Sequence, residues 1–454
     1  MSAIAEQFSE FVSDTSGIPE SARQAALRCI LDLLACAVGG FSTQGASAAR
    51  EGAMLTWGSG TKSIWFTGQS LQSAGAAFAN SAMACQLDLD DGHRAAAGHP
   101  AACIIPAAFA AFDPQFNSTD DLLVAICLGY ELAIRVAASR DLHSIPTTDS
   151  GIWCGLGAVT AIGHLLRMPA GKVAQALAIC GTTSPAQSAT SYTRFMGNNV
   201  KEGIPFAGAN AFTSTNLAQC GFTGPIDIFD ANSGYDRKRL LAGLGTTWLI
   251  ESTYFKPYSA CRWCHAPVDA LLDLLAQNSI LPDQIEKIEV ATFSRALSLN
   301  NEIRPTVLES AQYSIPFCLG LAATEGADSL LLMQEKSLNN KSAQNIAAKV
   351  HLSIDEKLNS MFSEFVPARV TLFAHGQEFS KTVTTPKGEH TNPLSGAELE
   401  AKLHRIGTAT GAPQLADALW VAFKQFESGN LSTLTELLGR PAFATVPIRK
   451  GAAI

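Results

Sequence analysis

Ile285-Glu286-Lys287-Ile288-Glu289-Val290-Ala291-Thr292-Phe293 alternates apolar and polar residues, as a half-buried strand does. It marks a change of character in the chain. Upstream, residues 20–38 place Leu27, Ile30, Leu31, Leu34 and Val38 on one helical face, entered at Ile18-Pro19-Glu20-Ser21 and closed by Gly39-Gly40. The same helical pattern recurs at 72–87, 101–112, 119–139, 153–167, 170–182 and 205–219, each Ala-rich and bounded by Gly, Pro or Asn. Residues 1 to about 260 therefore read as helical. Downstream, Ala266–Gln277 predicts one more amphipathic helix before the strand. Ala368–Ala374 and Glu378–Thr385 alternate again around His375-Gly376-Gln377, which predicts a β-hairpin closed by Pro386-Lys387-Gly388. Ala311–Glu325 and Ser342–Val350 read as helices between them. Residues 265–395 thus form a smaller α/β unit. Helices at Ala397–Ile406, Pro413–Phe426 and Thr433–Leu438 follow, placed to dock back on the first part.

The 454 residues are 47% hydrophobic and only 16% charged, enough to bury a large core over two domains. Abundant Ala, Leu and Gly favour closely packed helices and a large apolar subunit interface. A net charge of −8 argues against nucleic acid and anionic membranes as partners. Eleven cysteines scattered through helical segments read as reduced, buried thiols. The start Met1-Ser2-Ala3-Ile4 lacks the basic and apolar regions of a signal peptide. No run reaches about 20 apolar residues; the longest, Ala101–Phe112, is interrupted by Pro106. A cytoplasmic location is expected.

Chemistry concentrates in Gln86-Leu87-Asp88-Leu89-Asp90-Asp91-Gly92-His93 and Gly98-His99-Pro100. Charge is costly to bury without a partner, so carboxylates and imidazoles between apolar runs point to a site. Helical spacing would put Asp88 and Asp91 on one face and Asp90 on the other, with both histidines on a following loop. The alternatives are helix capping, a buried ion pair, or a hydrolytic metal site, for which two histidines on a Gly/Ala loop fix no geometry. Cys261-Arg262-Trp263-Cys264-His265 matches C-x-x-C-H, but no export signal accompanies it and no second ligand pair follows for zinc. Trp57-Gly58-Ser59-Gly60-Thr61-Lys62-Ser63 lacks the glycine before lysine of a phosphate loop, and Gly155-Leu156-Gly157 opens no dinucleotide fingerprint. Lys201, in Asn198-Asn199-Val200-Lys201-Glu202-Gly203-Ile204-Pro205, is either a surface cap or a lysine desolvated into a usable base.

Several segments together resemble the MmgE/PrpD family. They are Leu31-Asp32-Leu33-Leu34-Ala35-Cys36-Ala37-Val38-Gly39-Gly40, Ala76–Asn80 through Asp91 to His99-Pro100, and Val200–Pro205. Gly221-Phe222-Thr223-Gly224-Pro225, Lys256-Pro257-Tyr258 leading to Cys261 and His265, and Ala311-Gln312-Tyr313-Ser314-Ile315-Pro316 complete the series. The resemblance implies a mainly α fold: a large all-helical domain from both chain ends (residues 1–264 and 396–454) with an inserted α/β lid domain (265–395). It also implies a homodimer and a cofactor-free site at the domain interface, built from Asp88, His99, Lys201 and His265. The Cys261–Cys264 segment becomes the hinge into the lid. Two positions depart from the family. Thr148 stands where many members carry histidine, with His143 five residues upstream, and Gly92 replaces a threonine.

These readings predict an enzyme that removes a proton α to a carboxylate on a small di- or tricarboxylate. The first expectation is a dehydratase- or decarboxylase-type lyase. An epimerase of an iminodisuccinate-like dicarboxylate, or an inactive carboxylate-binding homologue, are the alternatives. Such a proton needs a positioned base and cations for the developing charge. Lys201, His99 and His265 supply cationic character, one of them the base, and Asp88 orients His99. Arg262 is a candidate carboxylate clamp; Asp91, His93, Thr148 and Tyr313 are expected along the substrate. No metal or other cofactor is expected.

Overall fold

The computed structural model describes residues 2–142, 145, 147–185, 198–230 and 234–443. The molecule is mainly α, 57% helical with small sheets. The helices expected from periodicity form at Glu20–Gly40, Ser73–Cys85, Ala101–Ala111, Thr119–Ala138, Cys154–Leu165, Ala170–Thr182 and Ile204–Gln219. Leu27, Ile30, Leu31, Leu34 and Val38 are all buried, and from Cys29 to Gly40 the helix is enclosed on every side, as a helix apolar all round is. Ser118 caps the helix Thr119–Ala138 in a reciprocal capping box with Asp121. Pro106 is accommodated inside Ala101–Ala111. No single helix among the described residues is long and apolar enough to cross a membrane.

Among the described residues, two large apolar cores form, beside a small third cluster around Ile64 and Leu71. One gathers side chains between Ile4 and Phe255 with Leu399, Leu403, Ile406, Leu419 and Phe426 from the C-terminal helices. The other is drawn from Tyr258 to Ala374. The helix Gly396–Ala409 packs on Glu20–Gly40. There Lys402 places its ammonium 2.6 Å from Asp32 Oδ1 and 3.0 Å from the Leu89 carbonyl.

Strands β1 (Ser59–Ile64) and β2 (Gln69–Leu71) form an antiparallel ribbon where the sequence offered only a false phosphate loop. Strands β3 (Gly92–His93) and β4 (Thr253–Tyr254) pair antiparallel. The second core carries a four-stranded sheet from β5 (Ile285–Thr292), β6 (Val350–Ile354), β7 (Ala368–Ala374) and β8 (Gln377–Val383), in the order β6-β5-β7-β8. β6 runs parallel to β5, and the other pairs are antiparallel. The hairpin turns on His375 and Gly376 alone, at φ 56° and 67°. Two left-handed residues match the right-handed twist of the flanking strands.

Three expectations need correction. Ala311–Glu325 is two helices, Leu308–Gln312 and Ile315–Glu325, because Ser314 caps the second and Pro316 sits in its first turn. Ser342–Val350 is a helix only over Lys341–Ala347, after which Val350 opens the edge strand β6. Asp88, Asp90 and Asp91 lie beyond the helix end at Cys85, and Asp88 is left-handed at φ 50°, so no shared helical face exists. The described cysteines form no disulfide; most are buried and Cys220 is exposed.

Candidate active site

The loop from Gln86 to Pro100 is built by local turns. The Asp88 N–H donates to the Cys85 carbonyl at 3.0 Å, and the His93 N–H donates to the Gly98 carbonyl at 3.0 Å. Pairing of β3 with β4 then brings Lys256 alongside Asp88. Gly92 is required here: a Cβ would lie 2.3 Å from the Tyr254 ring. A threonine cannot stand at this position unless Tyr254 moves.

Asp88 is the electrostatic centre. Its Oδ1 lies 3.1 Å from Lys256 Nζ and 3.5 Å from His99 Nε2, while Lys256 also donates to the Asp88 carbonyl at 2.8 Å. Burial pushes the Asp88 carboxyl up, but Lys256, Lys201 and His99 outweigh it and hold the group well below the usual carboxylate range. Lys256 is fully buried, which disfavours its charge, yet Asp88 keeps it protonated. Asp90 lies farther from these cations, with the His99 Nδ1 3.8 Å from its Oδ2. Burial pushes it up to about 6, the Lys256 charge opposing and the Asp88 charge adding to the effect.

His99 is held at both ends. Its backbone N–H donates to Ser150 Oγ at 2.9 Å, and its Nδ1 lies 2.6 Å from the Asp91 carbonyl. A carbonyl only accepts, so Nδ1 carries the proton and the neutral ring keeps its lone pair on Nε2. Burial and the Lys256 charge lower its pKa, favouring that neutral form. The Asp91 carboxylate faces away from this contact. It accepts the Ala101 N–H at 3.1 Å, capping the following helix, and the Tyr130 hydroxyl at 2.8 Å. Asp91 thus holds the helix start and the His99 ring, and burial pushes its carboxyl up to about 8.

Lys201 enters from the turn before Ile204–Gln219. It is 4% exposed and donates to Gln312 Oε1 at 2.8 Å, with its ammonium 5.3 Å from the centre of the Tyr313 ring. Gln312 in turn donates to the Gln86 carbonyl at 3.1 Å. The helix break at Tyr313-Ser314 is what brings both side chains here.

Asp88, His99, Lys201 and Tyr313 therefore fall in one buried cluster, with Tyr313 in the field of Asp88. Other expected residues do not serve as predicted. His265 accepts from Arg262 Nη1 at Nδ1 (2.9 Å) and faces the Ala260 carbonyl with Nε2 (3.1 Å). Both nitrogens are occupied in the neutral form, and burial with the Arg262 charge keeps its pKa well below normal. A cationic His265 is thereby corrected. Arg262 is neither a surface residue nor a free clamp. It is buried, pairs with Glu389 at 2.9 Å, and donates to the Lys387 and Pro386 carbonyls. Tyr254 stacks beneath Arg262 and Arg94, both of which pair with Glu389. His93 is buried in β3, where burial holds it down to about 4. Thr148 is buried in the segment leading to Ser150. His143 lies outside the described residues.

Lys256, Gln312, Ser150 and Glu202 were missed as site residues. Lys256 and Gln312 sit in stretches with no local charge cluster to mark them. Among the described residues, the group close enough to hold a metal is Asp88, Asp90 and His99, with ligand atoms within 4.8 Å of one another. The Lys256 ammonium, 3.1 Å from Asp88 Oδ1, already neutralises that carboxylate and would repel a divalent ion, so these residues fit one poorly.

Comparison with known proteins gives a consistent picture. The family model described as MmgE/PrpD N-terminal domain matches residues 6–240, and that described as MmgE/PrpD C-terminal domain matches residues 258–427. A cis-aconitate decarboxylase of Aspergillus terreus is 24% identical over 436 residues, covering 88% of this chain and 87% of its own. One from A. terreus strain NIH 2624 is 25% identical over 434 residues, with the same coverage. The cis-aconitate decarboxylase-like protein oryM of Aspergillus oryzae is 24% identical over 436 residues, covering 87% and 88%.

Proposed function

The chain belongs to the MmgE/PrpD family, and from that premise we propose that it is a cofactor-independent lyase, of decarboxylase or dehydratase type, acting on a small di- or tricarboxylate. The observation that carries this reading is the state of His99: Nδ1–H fixed on the Asp91 carbonyl, with Nε2 beside the Asp88–Lys256 pair. A neutral imidazole with an unprotonated Nε2 is able to take a proton from carbon. Lys201, buried and held by Gln312 and the Tyr313 face, supplies the cation for a substrate carboxylate and for charge that builds on it as the α-carbon becomes carbanionic. In dehydration, His99 takes the α-proton, the electron pair left on carbon forms the C=C bond as the C–O bond breaks, and the departing hydroxide takes a proton from a protonated group of this cluster to leave as water. In decarboxylation, the C–C bonding pair remains on the substrate as CO₂ departs, and a protonated group of this cluster returns a proton to carbon. The cis-aconitate decarboxylase relatives favour the second fate.

A lid over residues 265–395 that closes on the bound substrate, and a homodimer, belong to the same proposal. Leu55, Phe116, Phe206 and Phe222 are exposed apolar side chains that a second copy would cover. The test is a polycarboxylate panel, cis-aconitate included, followed by proton NMR in heavy water. Product formation supports the lyase. Deuterium exchange with inversion marks an epimerase, and tight binding without exchange or product marks an inactive binding homologue, as Thr148 in place of the family histidine would allow.

A further inference from the structure

Ser150 touches both halves of the cluster. Its hydroxyl donates to Glu202 Oε2 at 2.7 Å and accepts the His99 N–H at 2.9 Å, and its own N–H donates to the same Glu202 oxygen at 3.0 Å. Glu202 follows Lys201 directly in the chain. Lys201, Glu202 and Gly203 are consecutively left-handed, at φ 47°, 58° and 75°. For two residues with side chains this backbone is costly, and it persists only where surrounding contacts impose it. The contacts are visible. A Cβ on Gly98 would lie 2.4 Å from Ser150 Oγ, and one on Gly151 would lie 2.5 Å from the Glu202 carbonyl. The absence of side chains at these two positions lets three chain segments interlock.

We propose that Ser150 and Glu202 are positioning residues: one carboxylate oxygen and one hydroxyl hold the His99 loop and the strained Lys201 turn in fixed register, so that base and cation address the same substrate carbon. The inference deepens the proposed lyase reading and rests on it for its kinetic arm alone. Asp88, Asp90, Lys256 and Glu202 are the charged groups that act on the His99 ring, and the Glu202 charge raises its pKa.

Four variants test this. Ser150→Ala and Glu202→Ala should each lower kcat on the order of 10- to 100-fold, the scale of a misplaced catalytic group. KM should stay within about threefold, since substrate binding itself is untouched. Ser150→Thr keeps the hydroxyl and Glu202→Gln keeps an acceptor oxygen, so both should recover most of kcat. A Glu202→Gln enzyme as impaired as Glu202→Ala would show that the carboxyl itself carries charge or proton, and would overturn the positioning role. The second readout needs no turnover. Nitrogen-15 NMR of His99, assigned by loss of its signal in His99→Gln, should show the Nδ1–H tautomer in the native chain and a tautomer mixture in the two alanine variants. Restoration is expected in the Thr and Gln variants. A His99 spectrum identical in all four overturns the proposal. A tautomer change without turnover of any polycarboxylate would sink the lyase reading and leave the positioning role standing.

Discussion

Lys256 is the residue on which the charge state of Asp88 depends most. Both are buried, so removing the cation leaves a carboxylate without its partner. Lys256→Met should therefore destabilise the protein by about 3–5 kcal/mol, measured by urea unfolding, and the added Asp88→Asn change should recover part of that loss. Asp90 predicts a pH dependence of opposite character. Its pKa is pushed up to about 6, against about 3.9 in an unfolded chain. Between those values the folded protein holds a proton that the unfolded chain has released, so stability falls as pH rises through that window. Asp90→Asn should be more stable than the native chain at pH 7, on the order of 2–3 kcal/mol, with the advantage gone near pH 4. The sequence made Asp88 and His99 legible because their charge interrupts apolar runs. Lys256 and Gln312 were silent because their partners are remote: Asp88 is 168 positions from Lys256, and Lys201 is 111 from Gln312. His265 and Arg262 misled for the same reason, since Glu389 consumes the arginine from 127 positions away.

Elements with strong periodicity were readable almost to their ends, whereas those decided by neighbours were not. The helix Glu20–Gly40 buries its apolar face against many partners, so its pattern is dense. β6 is a short edge strand with a largely exposed pattern; Val350, Leu352 and Ile354 alternate with His351 and Ser353 as a strand does, but the run is only five residues long and follows a helix directly. The break at Tyr313-Ser314 matters more. Pro316 is tolerated in a first turn, so it can begin a helix as well as interrupt one. The expected continuous helix hid the bend that turns Gln312 and Tyr313 toward Lys201. The β7–β8 hairpin was legible because His375-Gly376 allows a two-residue turn. Gly376 is at φ 67° with open space around a would-be Cβ. Gly376→Ala should therefore cost about 1 kcal/mol from backbone conformation alone, while His375→Asn should cost nothing. Denaturant unfolding distinguishes the two.

Across the whole molecule, distant parts of the chain converge on one loop. Lys402, near the C-terminal end, binds Asp32 and the Leu89 carbonyl, one residue from Asp88. Lys402→Met should raise amide exchange in Gly396–Ala409 and in residues 86–92 together, with little change in the β5–β8 sheet, because the first core would lose its buried tie. The change in periodicity near residue 261 is visible in the sequence; the convergence of distant segments on one loop is not, since periodicity records burial and says nothing of which buried surfaces meet. The central claim is that His99 and Lys201 act together on one carbon beside a carboxylate. It is tested most directly by following cis-aconitate and related polycarboxylates in heavy water with the native chain, His99→Ala and Lys201→Ala side by side. The account predicts conversion by the native chain and rates lower by roughly two to four orders of magnitude in both variants, each still folding to a cooperative thermal transition. Turnover that survives either substitution, or no conversion or exchange of any polycarboxylate by the native chain, would contradict it.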